Sequence, residues 1–404
     1  MVIKININQF VRDHVIERQN SLFAQDIESN FDTLKKEISG KTILVIGGAG
    51  SIGSSFIHAI LKFNPVKLVV VDLNENCLEE LTRDLRSDSQ IKVPDVYLTY
   101  TLDFADPIFE DIFREHGGFD IVANFSAHKH VRSEKDKYAV EALLKNNVIK
   151  AKRLLDLLSE MPPKHFFCVS TDKAANPVNV MGASKRVMED LIMAYKPDFK
   201  VTTARFANVA FSNGSLPASF FDRVMKNQPL VAPKDVRRFF VSMEESGQIC
   251  MLACILGNNG EVFFPKLEEE TMKTFSSICD DFICEMGYEK HECANDEEAK
   301  AFAAAHLPGK EYPVVYFNSD TTGEKDYEEF VVDGEKSDLD RFASLGVITE
   351  SKHRPKSEIE AFISRLETLF ADRSFTKAQV VECLKDFLPN FEHEEKGKNL
   401  DQKM

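Results

Sequence analysis

The fold class this sequence predicts is α/β: a doubly wound parallel sheet with a smaller α+β lobe and helical extensions at both ends. Three observations predict it. Continuous apolar runs rich in Val, Ile and Phe alternate with helix-patterned stretches between residues 41 and 210. The first run feeds a glycine-rich turn that opens a helix. After residue 210 the alternation breaks into shorter, mixed segments. The chain has 404 residues, 43% of them hydrophobic, which is ample for a core of that size.

Residues 1–40 read as a polar, mostly helical extension ending at Ser39-Gly40. ILVIG is the first strand, followed by an apolar-periodic helix from Ile52 to Leu61. KLVVVD ends the second strand at Asp72, and Leu78, Leu81 and Leu85 mark the helix after it. VYLTYTLDF, FDIVANFSA and KHFFCVST repeat the strand pattern, each with a helix behind it, and KVTTARFANVA is the sixth run. Runs without polar alternation belong to a parallel sheet buried on both faces. Residues 211–348 form the smaller lobe, with helices over 217–227, 243–257 and 271–287 and short strands in RRFFVS and EVFFPK. Residues 349–404 are a helical segment and the charged tail EHEEKGKNLDQKM.

Several classes are excluded. Lys and Arg total 50 against 65 Asp and Glu, a net charge of −15, so a global basic footprint for nucleic acid is absent. No apolar run approaches the roughly 18–20 residues of a membrane span, and Met1 to Phe10 lacks a signal peptide's apolar core. Cys77, Cys168, Cys250, Cys254, Cys279, Cys284, Cys293 and Cys383 are scattered, with no paired CxxC for structural zinc. The expectation is a reduced, soluble, cytoplasmic protein without disulfides.

Gly47-Gly48-Ala49-Gly50-Ser51-Ile52-Gly53 matches G-x-G-x-x-G at Gly48, Gly50 and Gly53, between strand and helix. Such glycines permit a tight turn and let backbone N–H groups at a helix start meet a pyrophosphate, as in a Rossmann-type dinucleotide-binding domain. Gly47, Gly50, Ser51, Ile52 and Gly53 are therefore the cofactor loop of a domain spanning residues 41–210. Asp72 ends the next strand, where a carboxylate accepts from the adenosine ribose hydroxyls and repels a 2′-phosphate. That favours NAD over NADP. Asp103-Phe104, after the third strand, is placed either to flank the adenine or to form an ordinary loop. Ser170-Thr171-Asp172-Lys173 closes the fifth strand, and a helix follows through Met181 and Lys185. Ligands of open α/β sheets bind at the carboxyl ends of strands, which points this cluster at the nicotinamide.

The blocks GGAGSIG, NFSAHKHVRSEKD, STDKAANPVNVMGASKR, RFANVAFSNGS, VAPKDVRRFFVS and TTGEKDYEEF carry a resemblance over roughly residues 41 to 345. The chain resembles the extended short-chain dehydrogenase/reductases, and within them the soluble nucleotide-sugar 4,6-dehydratases of the polysaccharide-biosynthesis type that act on UDP-N-acetylglucosamine. Gly47, Gly50 and Gly53 also match the GxxGxxG spacing of that family. Its Tyr-x-x-x-Lys pair reads here as Met181-x-x-x-Lys185, one helical turn apart. Lys185 can hold the nicotinamide ribose, but Met181 has no proton to exchange and is left as a substrate-facing residue. In similar dehydratases with Met there, the Thr-Asp-Lys run does the acid/base work. The resemblance thus implies Lys173 as base, Asp172 as acid and Thr171 as the hydroxyl that steadies an oxyanion. Met181 also resembles members that retain configuration at sugar carbon 5.

The same resemblance implies substrate contacts at Lys129, Asn208, Gly214 and Ser215, a cofactor contact at Ser126, and a bracing role for Asn147. It makes residues 211–348 the sugar-nucleotide lobe. Arg238 suits a phosphate through its guanidinium fork or is a solvated rim charge. Arg205 braces the sheet, and His128 and His130 read as loop or core histidines because no third ligand sits at metal spacing. Arg132 accompanies them on the same loop. One departure stands out: the family's Arg-Pro-Gly-Glu-Lys becomes Thr321-Thr322-Gly323-Glu324-Lys325, leaving uridine or guanosine open, with Lys266 as a candidate compensation. The resemblance implies a homodimer or larger homo-oligomer through helices starting near 136 and 182. It implies no membrane span, since a short helical extension replaces the transmembrane helices of other members. The rival readings are a nucleotide-sugar epimerase, the same dehydration on a GDP-linked amino sugar, and a non-catalytic NAD-binding scaffold.

Overall fold

The computed structural model describes residues 5–130, 134–319 and 329–393. Strands β1 (Thr42–Ile46), β2 (Lys67–Asp72), β3 (Val96–Thr101), β4 (Ile121–Asn124), β5 (His165–Val169) and β6 (Val201–Ala204) lie parallel in the order β3-β2-β1-β4-β5-β6. That order reverses direction between β1 and β4, which makes the crevice at their carboxyl ends the expected ligand site. Alternate side chains explain the unbroken apolar runs. Leu44, Ile46, Val69, Val71, Val122 and Phe166 enter the core on one face of the sheet. Ile43, Val45, Leu68, Val70, Ile121 and Phe167 enter the core on the other. Burying each contributes about 1.5–3 kcal/mol.

The sheet continues beyond residue 210. Glu261–Pro265 pairs parallel with β6, Leu345–Glu350 pairs antiparallel with it, and Lys336–Asp338 closes the edge. EVFFPK, read from sequence as part of the smaller lobe, is thus a seventh strand of the main sheet. Helix Met243–Leu256 likewise packs on helix Ser51–Leu61. A Cβ on Gly247 would lie 2.1 Å from the Ser55 carbonyl oxygen, so only glycine allows that approach. The lobe proper is a parallel three-stranded sheet of Glu289–Glu292, Glu311–Phe317 and Leu230–Pro233. Helices Leu216–Met225, Phe275–Glu285 and Asp296–His306 accompany it.

Neither terminal extension is an appendage. Phe10, Val11 and Val15 are buried in the lobe core with Phe220, Phe282 and Tyr312. Phe23, Leu34 and Ile38 join the main core. Helices Lys356–Ala371 and Lys377–Phe387 bury Ile359, Phe362, Leu366 and Leu384 in one core with Val187, Met188 and Leu191 of helix Val180–Met193. Arg373 reaches Glu141 at 3.0 Å and Lys356 lies over the Tyr195 ring. The helices assigned by resemblance to self-association are therefore packed by the chain's own C-terminal helices. Among the described residues no helix is long and apolar enough to cross a membrane. All eight cysteines are free.

Candidate active site

The glycine loop follows β1. Gly47 sits at φ +69°, and a Cβ on it would lie 2.6 Å from the Ser126 backbone nitrogen. The predicted loop and the predicted Ser126 therefore touch, backbone to backbone. A Cβ on Gly53 would lie 2.3 Å from the Gly47 carbonyl oxygen, so that glycine is sterically required too. Helix Ser51–Leu61 has Gly50 as its N-cap and no side chain capping it. Among the described residues no side chain caps its first N–H groups, the arrangement that suits an anion. Asp72 accepts from the Ala49 N–H (3.0 Å) and the Asn74 N–H (3.0 Å), which fixes its carboxylate at the loop's edge. Each oxygen retains a lone pair for a ribose hydroxyl. Ile52 packs against the core beneath. These residues fit a dinucleotide.

Asp103 ion-pairs with Lys150 and accepts the Ala105 N–H at 3.0 Å, and Phe104 is buried in the core. The Phe104 ring thus anchors the turn from below, and only its backbone or Asp103 can face a ligand.

After β5, Thr171 has extended backbone and opens a short 3₁₀ turn, Asp172–Ala174. The Thr171 hydroxyl donates to Asp172 Oδ1 at 2.6 Å, as do the Lys173 N–H (2.9 Å) and Lys173 Nζ (3.2 Å). Asp172 is 2% exposed, and its other oxygen, Oδ2, is buried without a hydrogen-bond partner. A buried carboxylate oxygen with no donor is costly unless a ligand or a proton satisfies it. Lys185 is also buried. It donates to the Val169 carbonyl at 2.9 Å, and burial holds its pKa below the usual lysine value despite nearby Glu189. Met181, 2% exposed, lies one turn before Lys185 and packs in the core.

Three polar residues clamp this arrangement. Asn147 lies in a π-helical stretch, Lys145–Lys150, inserted into the long helix after β4. It accepts the His128 N–H at 2.9 Å, donates to the His128 carbonyl at 3.0 Å and donates to Ser184 at 3.0 Å. The loop after β4 is thereby tied to the helix that carries Lys185. Glu134 is buried; it accepts the Met181 N–H at 3.1 Å and pairs with His393 at 3.3 Å. Glu189 accepts from Ser170 (2.6 Å) and from Arg205 (2.7 and 3.0 Å), which fixes the residue before Thr171. Burial alone would raise the Glu189 carboxyl, but the Arg205 guanidinium overcomes it and holds the pKa at about 2. Arg205, fully buried, also grips Glu335 with two bonds of 2.8 Å, so it braces the sheet as read from sequence. Glu134, Glu189 and Glu335 were not singled out from sequence. Only Glu189 had a local signal, four residues after Lys185 on one helix face.

On the lobe side, Asn208 pairs beside Phe240 in a two-stranded ribbon. Gly214, at φ +76°, lies under the His130 ring, 2.9 Å from where a Cβ would be. Ser215 caps helix Leu216–Met225, so its hydroxyl has a structural partner in the Ala218 N–H. Arg238 is 5% exposed and donates to the Arg237 carbonyl, which excludes the solvated-rim alternative. Lys129 reaches solvent but lies among enough groups that desolvation lowers its pKa. Lys266 donates to the Leu339 and Phe342 carbonyls. It ties two chain segments together. Arg132 and Thr321 to Lys325 lie outside the described residues.

The model of the polysaccharide biosynthesis protein family matches residues 43–349. An uncharacterized membrane protein of Methanocaldococcus jannaschii is 31% identical over 79% of this chain and 88% of its own length. The inverting UDP-N-acetylglucosamine 4,6-dehydratase of Campylobacter jejuni is 26% identical over 57% of this chain and 68% of its own. The UDP-glucose 4-epimerase of Rickettsia bellii is 27% identical over 58% and 69%. Among solved structures, Pen from Bacillus thuringiensis aligns with a TM-score of 0.63 at 19% identity, covering 82% of this chain and 98% of that one, a likeness of fold. With its sheet order, glycine loop and matched region taken together, the chain belongs to the polysaccharide biosynthesis protein family of extended short-chain dehydrogenase/reductases.

Proposed function

We propose that the protein is an NAD-dependent nucleotide-sugar 4,6-dehydratase acting on UDP-N-acetylglucosamine and yielding a 4-keto-6-deoxy sugar nucleotide. The observation that carries this reading is Asp172: a buried carboxylate with one unpartnered oxygen, touching Thr171 and Lys173, beside a methionine where an epimerase would use a tyrosine. NAD, held by the Gly47–Gly53 loop, Asp72 and Lys185, would supply the transient oxidation at sugar carbon 4, the hydride taken there being given back at carbon 6. Lys173 would take the proton of the 4-hydroxyl, release it to solvent, then take that of carbon 5, which the ketone acidifies, and return a solvent-exchanged proton there. Thr171, turning its single O–H away from Asp172 Oδ1, would donate to the developing oxyanion. Asp172 Oδ2 would give its proton to the departing 6-hydroxyl. Lys129, Asn208, Gly214 and Arg238 are the proposed sugar and diphosphate contacts.

The test is incubation with UDP-N-acetylglucosamine and NAD in heavy water, followed by mass spectrometry of the sugar nucleotide. Loss of one water with one deuterium at carbon 5 supports the reading. An isomer of unchanged composition makes the protein an epimerase, and turnover of only a GDP-linked sugar moves the base assignment.

A further inference from the structure

A polar cavity lies at the end of the sheet away from the Ser170–Lys173 cluster. Its wall includes Asn30, Glu37, His165, Lys200, Arg341 and Phe342, and its volume is about 420 Å³. His165 begins β5 and Lys200 immediately precedes β6, whereas the Ser170–Lys173 cluster follows the carboxyl end of β5. Five residues of strand, roughly 16 Å, separate the two sites. Glu37 comes from the N-terminal extension, on helix Phe31–Ile38.

Three of these side chains form a directional chain. Lys200 Nζ is 3.2 Å from His165 Nδ1, and His165 Nε2 is 3.2 Å from Glu37 Oε2. A lysine ammonium only donates and a carboxylate only accepts, so Nδ1 must be the bare nitrogen and Nε2 must carry the hydrogen. The imidazole is thereby set to receive a proton from the amine while the carboxylate waits behind it. This is the geometry of a nucleophile, a base and the group that orients the base, with an amine as nucleophile.

We infer that Lys200 is a reactive amine and an acylation site for small acyl phosphates, with His165 as its base and Glu37 orienting that base. The reaction balances without a further co-reactant. The Lys200 nitrogen attacks the acyl carbon and forms the C–N bond. The C–O bond to phosphorus breaks, and phosphate leaves with the electron pair. The surplus amine proton passes to His165 Nδ1 and on to solvent. Each group is disposed for its part. Desolvation lowers the Lys200 pKa, which raises the fraction of free amine. Burial, and then the charge Lys200 carries when protonated, lower the His165 pKa. Once protonated, the ring is favoured by Glu37 and by the Cys254 carbonyl.

The test is incubation of the full chain with acetyl phosphate, followed by peptide mapping of each lysine's acetylation rate. Lys310, paired with Glu289 on the surface and 78% exposed, is the internal reference. Lys200 should react roughly tenfold faster than Lys310 in the folded protein and lose that advantage in urea. Glu37→Gln should slow it severalfold, and His165→Gln should bring it to the Lys310 rate, with melting curves confirming that both variants fold. A folded-state rate no greater than that of Lys310, or one that survives both substitutions, would overturn the inference. If either variant unfolds, the folded-against-urea comparison on the natural chain decides by itself.

Discussion

The Ser51 hydroxyl accepts the backbone N–H of Asn213 at 2.8 Å, joining the first turn of the glycine-loop helix to the loop ahead of the lobe. This bond links the glycine loop's helix to the segment bearing Gly214 and Ser215. Ser51→Ala removes the acceptor and leaves a backbone donor to find water, a cost of about 1 kcal/mol. We expect KM for the sugar nucleotide to rise roughly fivefold with kcat within twofold, the range 1 kcal/mol corresponds to. Steady-state kinetics at saturating NAD reads this directly. An unchanged KM would mean the lobe is positioned without Ser51.

Asp172→Asn keeps the shape and removes the acid. Dehydration should fall by about 10² to 10⁴, while deuterium exchange at carbon 5, assigned to Lys173, persists. Mass spectrometry of recovered substrate separates the two steps. If exchange and dehydration vanish together, Asp172 is not the carbon-6 acid.

The Glu189–Arg205 pair makes stability depend on acid. The folded Glu189 pKa of about 2 lies below the ordinary 4.5 of an unfolded glutamate. Its stabilising contribution is therefore complete above about 4.5 and lost as pH falls toward 2. Glu189→Gln strands Arg205 beside a weaker partner. It should cost roughly 3–5 kcal/mol at neutral pH and flatten the acid limb of the urea-midpoint curve between pH 5 and pH 3. A variant with the same acid limb as the natural chain would assign that limb to other carboxylates.

Met181→Tyr restores the residue type that epimerases use at this helix position, but into a site only 2% exposed and packed in the core. Overpacking should cost roughly 1–3 kcal/mol without increasing dehydration. An increased rate, or the appearance of a 4-epimer, would show that the position still addresses the sugar.

Much of this was legible locally. The six strands, the glycine turn and Asp72 announce themselves because each is written in adjacent residues: an apolar run, a Gly spacing, an acid closing a strand. The strand Glu261–Pro265 misled because an apolar run does not say which sheet it joins; its partner β6 lies some sixty residues earlier. Lys266, Ser215 and Phe104 read from sequence as candidate ligand contacts, and the fold adds what no local pattern shows: each side chain has a structural partner, a distant carbonyl, a helix N-terminus and the core. Glu134 was invisible for the same reason. Its meaning depends on Met181 and His393, which only the folded chain brings near.

The cover over helix Val180–Met193 has a consequence for biogenesis. Its packing partners Ile359, Phe362, Leu366 and Leu384 come far later in the chain and leave the ribosome well after it. Until they emerge, the helix bearing Lys185 presents an open apolar stripe, although its strands and glycine loop have long been synthesised. The nascent chain therefore passes through a stage with a nearly complete sheet and this helix unprotected, the kind of surface that chaperones bind and that aggregates form on. Cutting the chain near residue 350 would keep every proposed catalytic residue and strip the apolar cover from the helix that carries Lys185.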